Sequence, residues 1–191
     1  MSLIVFCATN RPGARTRTVA KRVHNFLGEL SKGAGGPIVD YLDLANLRPD
    51  IFSTDCYSQK PAWFLETFQA PILEAKGLLV CTPEYNGGFP GVMKYFIDML
   101  KFPESLVDLP VAFIGCADGQ FGALRAVEQL ELIFHYRKAH VYGERLFISK
   151  ISSVFSADGS VGEYEERLQK LAAGFLSFVN VLKGERAYHG P

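Results

Sequence analysis

Short apolar runs, each closed by a turn and followed by a stretch of helical period, constrain this chain most. Leu3-Ile4-Val5-Phe6-Cys7-Ala8 is such a run, and so are Leu78-Leu79-Val80-Cys81 and Leu109-Pro110-Val111-Ala112-Phe113-Ile114. A strand with one wet face alternates apolar and polar residues. A parallel strand covered on both faces reads as a continuous apolar run. Helical stripes follow: Val19, Val23, Phe26, Leu27 and Leu30 after the first run, and Leu124, Val127, Leu130, Ile133 and Phe134 after the third.

The remaining elements fit the same alternation. Pro37 to Leu42 reads as a second strand, and Ala139 to Tyr142, extending to Phe147-Ile148, as a fifth. Ala62 to Ala75 has helical period but is interrupted by Pro71, which has no N–H to give. Leu44 to Pro61 shows no period and is expected to be an irregular loop overhanging a site. Tyr164, Leu168, Leu171, Phe175, Val179 and Leu182 mark a long final helix. Five strands alternating with helices predict a doubly wound α/β fold, a parallel sheet with helices on both faces. The flavodoxin-like order 2-1-3-4-5 fits. It places a ligand at the carboxyl ends of the strands, at the switch point between the first and third. One domain is expected over residues 1–182, with a loose tail over 183–191.

Composition narrows the function. Hydrophobic residues make up 48% of the chain and charged residues 21%, which is globular. A formal net charge of zero gives no support for nucleic-acid or anionic-membrane binding. No apolar run is long enough to span a bilayer. The start of the chain goes straight into strand-like sequence, so a cytoplasmic location is expected. Cys7, Cys56, Cys81 and Cys116 lack the CxxC spacing of a zinc site. Three of them, Cys7, Cys81 and Cys116, fall at the ends of adjacent strands and are read as small packing hydrophobes. His24, His135, His140 and His189 offer no catalytic triad. G-x-G-x-x-G after the first strand and a Walker A sequence are both absent.

Two turns carry the chemistry. After the first strand comes Thr9-Asn10-Arg11-Pro12-Gly13-Ala14-Arg15-Thr16-Arg17, then a helix. Backbone N–H groups at a helix start, with hydroxyls and arginines, suit a phosphate; a basic solvated loop is the plainer alternative. After the third strand comes Thr82-Pro83-Glu84-Tyr85-Asn86-Gly87-Gly88-Phe89-Pro90-Gly91, then another helix. Its glycines and prolines allow close backbone approach to a ligand and fix the shape of the turn.

The run Pro83-Glu84-Tyr85-Asn86-Gly87, with Pro90-Gly91-Val92-Met93-Lys94 behind it, resembles the NADPH-dependent FMN reductase family, which includes flavin-containing quinone, chromate and azo-dye reductases. Thr9, Arg11, Thr16 and Arg17 match the family's phosphate loop. The Cys7-Ala8 pair and Arg15 depart from its usual small residues. The resemblance implies bound FMN, with Pro83, Glu84, Tyr85, Asn86 and Gly87 along the flavin edge. A third turn carrying Gly115 and Gly119 would approach the ring; Arg125-Ala126 and Phe155 to Ser160 also match. It implies NAD(P)H as donor and a quinone, free flavin, metal oxyanion or azo compound as acceptor, with no catalytic side chain required. A flavodoxin-like electron carrier and a non-catalytic flavin-binding module are the alternatives. A homodimer or dimer of dimers is also expected. The helix from Val92 to Lys101 has one charged stripe and is apolar around the rest, with Phe96 read as facing outward into the interface.

Overall fold

In the computed structural model, residues 2–156 and 159–182 are described. The expected tail over 183–191 and His189 lie outside them, as does part of the turn from Phe155 to Ser160. Strands β1 (Ser2–Cys7), β2 (Ile38–Asp43), β3 (Gly77–Pro83) and β4 (Pro110–Cys116) form a parallel sheet with β5 (His140–Val141) and β6 (Leu146–Ile148). The order is β2-β1-β3-β4-β5, with β6 also paired to β4. This is the predicted flavodoxin-like arrangement.

The continuous apolar runs have the predicted cause: successive residues point into two different cores. Ile4, Phe6, Leu78, Val80, Val111 and Phe113 pack on one face. They meet α2 (Ala62–Phe64), α3 (Ala70–Glu74), α4 (Gly91–Met99) and α5 (Leu124–Tyr136). Leu3, Val5, Leu79, Ala112 and Ile114 pack on the other, under α1 (Arg15–Gly33) and α6 (Glu165–Val181).

Three local expectations are refined. The fifth strand is split, because β5 pairs with Pro110 and Val111 whereas β6 pairs with Ile114 to Cys116. Two extra residues on this edge bulge out between the paired stretches. Pro71 does not break its helix. A π-helical turn, Leu65–Gln69, joins α2 to α3, and the wider turn just ahead of the proline accommodates its missing N–H. The segment after β2 is not structureless: it folds into three 3₁₀ turns, Leu44–Asn46, Pro49–Phe52 and Thr54–Tyr57. The first is capped by Asp43, which accepts from the Ala45 N–H at 2.9 Å.

The reading of α4 is corrected. Lys94 and Asp98 do form its charged outer stripe, paired at 2.7 Å. The rest of its circumference, however, is covered largely by the chain itself. Phe96 is 2% exposed, with ring centroids 5.0 Å from Phe6, 5.9 Å from Phe64 and 5.4 Å from Phe68. The α2 segment, whose period was disturbed by Pro71, supplies that cover. Phe96 is therefore a core residue of this chain, not an outward one.

Candidate functional site

Register places Cys7 beside Cys81, and Pro83 beside Cys116, so β1, β3 and β4 end side by side. The turns that follow these three strands share one edge of the sheet.

The first turn is built inward from Thr9. This residue is buried, and its Oγ1 accepts the Arg11 N–H at 3.2 Å and meets the Tyr85 hydroxyl at 3.1 Å. Arg11 itself is exposed, with its guanidinium 5.7 Å from the centre of the Tyr85 ring. Helix α1 then starts at Arg15 with Ala14 at its N-cap, no capping side chain and no acidic residue in the first turn. A helix of 19 residues thus presents uncapped N–H groups and the positive end of its dipole next to Arg11 and Arg15. Thr16 is turned into the protein and buried. Arg17 is held by Asp43 through Nε at 2.5 Å and Nη2 at 3.2 Å.

The second turn has the geometry its sequence asks for. Tyr85 and Gly88 exchange two backbone hydrogen bonds, at 2.8 and 3.1 Å, around Asn86 and Gly87. Both central residues have positive φ, 53° and 77°, the type I′ turn that Asn-Gly favours. The N–H groups of Asn86 and Gly87 take no part in the turn's own bonds. Helix α5 braces this turn. Arg125 donates to Glu84 Oε1 from Nη2 at 2.5 Å and from Nε at 3.0 Å. Gln129, one helical turn on, donates to the Gly87 carbonyl at 3.3 Å. The Glu84 side chain is 9% exposed, and its Oε2 is buried with no hydrogen-bond partner among the described residues.

The third turn follows β4. Gly115 lies within the strand, where a Cβ would fall 2.5 Å from the Gly122 carbonyl, so the chain's own packing uses its missing side chain. Gly119 is exposed, with open space where a Cβ would stand. Asp118 accepts from the Ser152 N–H at 2.8 Å and from the Ser152 hydroxyl, which tie this turn to the segment after β6 and hold the Asp118 carboxyl below its ordinary range. Arg15 reaches across to Asp118 at 4.0 Å.

Thr9, Arg11 and Tyr85 are thus brought into one cluster, with Glu84, Asn86 and Gly87 on the adjoining turn. Asp43, Arg125, Gln129, Asp118 and Ser152 were not singled out from sequence as partners. Each acts on a residue far along the chain, and neither spacing nor periodicity signals such a pairing. Cys7, Cys81 and Cys116 are buried free thiols. Burial, with the negative Asp43 nearby, pushes Cys7 up to about 12, and burial likewise raises Cys81 and Cys116. All three stay protonated and weakly nucleophilic at neutral pH.

Residues 1–152 match the family described as NADPH-dependent FMN reductase. The chain belongs to the NADPH-dependent FMN reductase family. An NADPH azoreductase of Bacillus sp. (strain OY1-2) is 28% identical over 165 residues, 85% of this chain and 83% of the other. An NAD(P)H-dependent FMN reductase of Pseudomonas aeruginosa is 27% identical over 154 residues, covering 78% and 82%. The fold is shared with the flavoenzyme FerB, an NAD(P)H:(acceptor) oxidoreductase from Paracoccus denitrificans. The TM-score is 0.75 at 21% identity, over 94% of this chain and 97% of that one.

The donor set fits the family's cofactor. An uncapped helix start beside two exposed arginines matches a phosphate monoester. The Asn86 and Gly87 N–H groups, outside the turn's own bonds, match acceptors on the edge of a flat ring. No helix among the described residues is long and apolar enough to cross a membrane.

Proposed function

We propose that this protein is an FMN-dependent reductase that takes a hydride from NAD(P)H and passes the electrons to a small molecule such as a quinone, azo compound, free flavin or metal oxyanion. The observation that carries this reading is the convergence of the uncapped α1 start, Arg11 and the Asn86-Gly87 turn at one sheet edge, in a chain of this family. The chemistry supplied by FMN when bound is acceptance of a hydride and release of the electron pair to the acceptor. Arg11 and the first N–H groups of α1 bind the phosphate. Thr9, through Tyr85, locks the phosphate loop to the ring-edge turn. Glu84 and Arg125 keep that turn from shifting. No protein proton donor or nucleophile is needed, which agrees with thiols held protonated. Free, buried cysteines go with a reducing, cytoplasmic setting.

The test is anaerobic mixing of the FMN-loaded protein with NADPH. Rapid bleaching of the flavin absorbance is expected; a protein that binds FMN but bleaches only slowly is an electron carrier instead. Arg11→Ala should weaken FMN by about ten- to a hundredfold, the loss of a charge-assisted contact, and riboflavin far less. Equal loss for both ligands would remove Arg11 from the phosphate site.

The homodimer expected from the family resemblance is retained as a proposal, on a different face. Leu132 and Tyr136 of α5 are 72% and 76% exposed, and Phe102, 62% exposed, lies under the Arg137 guanidinium next to them. This apolar patch is a better candidate interface than the charged outer stripe of α4. Light scattering should give a dimer mass for the wild type and a monomer mass for Leu132→Glu. A wild type that is monomeric at micromolar concentration would exclude the pairing.

A further inference from the structure

Arg17 matches the family's phosphate-loop pattern, yet its guanidinium is engaged from every side by the chain itself. Nε and Nη2 donate to the two oxygens of Asp43, at 2.5 and 3.2 Å. Nη2 also points to the Thr9 carbonyl and Nη1 to the Arg11 carbonyl, each at 3.4 Å. Asp43 is 5% exposed and is fixed in turn by the Tyr41 hydroxyl at 3.1 Å and the Ala45 N–H at 2.9 Å.

The geometry points to Arg17 as a positioning residue that acts through Asp43 to aim the first loop, leaving Arg11 and Arg15 as the cations that meet the phosphate. This rests on the FMN reading above. A trans peptide holds its C=O and N–H on opposite sides. Drawing the Thr9 carbonyl inward to Arg17 therefore turns the Asn10 N–H the other way, out of the protein. The Arg11 carbonyl, followed by Pro12 with no N–H to orient, is likewise kept off the anion's side. Both partial negative charges that would repel a phosphate face a guanidinium instead. Asp43 fixes that guanidinium to the end of β2 and largely cancels its charge, so the pair gives shape to the loop more than field. Among the described residues exposed Arg11 and Arg15 have no such bidentate partner, and Arg15 meets Asp118 at 4.0 Å.

Asp43→Asn separates the two possible roles of Arg17. If Arg17 bound the phosphate directly, removing a competing carboxylate would leave FMN affinity unchanged or raise it, since a negative charge near a dianion has gone. If Arg17 positions the loop, the amide cannot accept the bidentate pair, the two carbonyls are released, and the anion site loosens. The experiment is titration of FMN and of riboflavin into full-length apoprotein, followed by flavin fluorescence. Asp43→Asn is expected to weaken FMN by about tenfold or more while riboflavin changes by less than about threefold. Arg17→Lys guards against a variant that fails to fold. It keeps the charge, but an ammonium cannot span a carboxylate and two carbonyls, so the same selective loss of FMN is expected. FMN affinity retained in Arg17→Lys, or unchanged or higher in Asp43→Asn, overturns the proposal. If Asp43→Asn does not fold, Asp43→Glu takes its place: it keeps the charge but moves the carboxylate, so selective loss of FMN is expected from positioning, and unchanged FMN affinity overturns the proposal. A wild type that binds no FMN overturns the cofactor reading and this proposal with it. Normal wild-type binding with unaffected variants overturns this proposal alone.

Discussion

Phe96→Ala is expected to lower folding stability by about 3–5 kcal/mol, in the range for a large aromatic deleted from a closed core. The ring is almost wholly buried and meets Phe6 on the sheet and Phe64 and Phe68 on the segment that crosses over it. These are separate elements, so none can collapse into the space without moving its own neighbours. Urea unfolding at several protein concentrations checks both size and origin. A core deletion shifts the midpoint by the same amount at every concentration. If the loss were below about 1 kcal/mol, or appeared only on dilution, the ring would belong to an interface instead.

Gly122→Ala should cost about 2–5 kcal/mol, the sum of overpacking and left-handed strain. The residue has φ +56°, and a Cβ would lie 2.8 Å from the Phe147 carbonyl carbon and 2.9 Å from the Ile148 nitrogen. Both are backbone atoms of β6 and cannot rotate away as a side chain would. Relief requires the third turn to lift from the sheet, so FMN binding should fall with stability. Ala123, at φ 73° and buried, sits next to it and leaves the turn no slack. Gly119→Ala is the control: with open space around it, its stability should change by no more than about 0.5 kcal/mol. Thermal unfolding of both variants, with FMN titrated into each, separates the outcomes. If Gly119→Ala weakens FMN at unchanged stability, close approach of Gly119 to the flavin is supported. A stable Gly122→Ala would show that the turn is not clamped.

What could be read from sequence was what local chemistry dictates. The buried strands were legible because both faces are covered, and the turn from Thr82 to Gly91 because glycines and prolines punctuate it. That the three turns after β1, β3 and β4 share one edge, where the candidate site is drawn, followed from sheet order. Two kinds of feature were hidden. One is the long-range polar partner: nothing near Arg17 announces Asp43, and nothing near Glu84 announces Arg125. Such pairs depend on how elements pack, not on spacing. The other is the identity of the group that covers an apolar surface. The α4 pattern stated correctly that more than one side had to be buried, but α2 and a second copy of the chain make the same demand on the sequence. The disturbance at Pro71 obscured the nearer solution.

The broken fifth strand has a consequence for how this protein survives in a crowded solution. The sheet order ends at β2 on one side and at β5 and β6 on the other. An unbroken outer strand would offer a straight row of unpaired backbone groups to any extended chain that met it. Here the offer is limited to two residues, then a bulge, then three more in a shifted register. An incoming strand that pairs with one short stretch is out of step with the other. At the opposite margin exposed Asp40 sets a carboxylate on β2. The two margins therefore resist templated strand addition by different means, one by mismatch and one by charge.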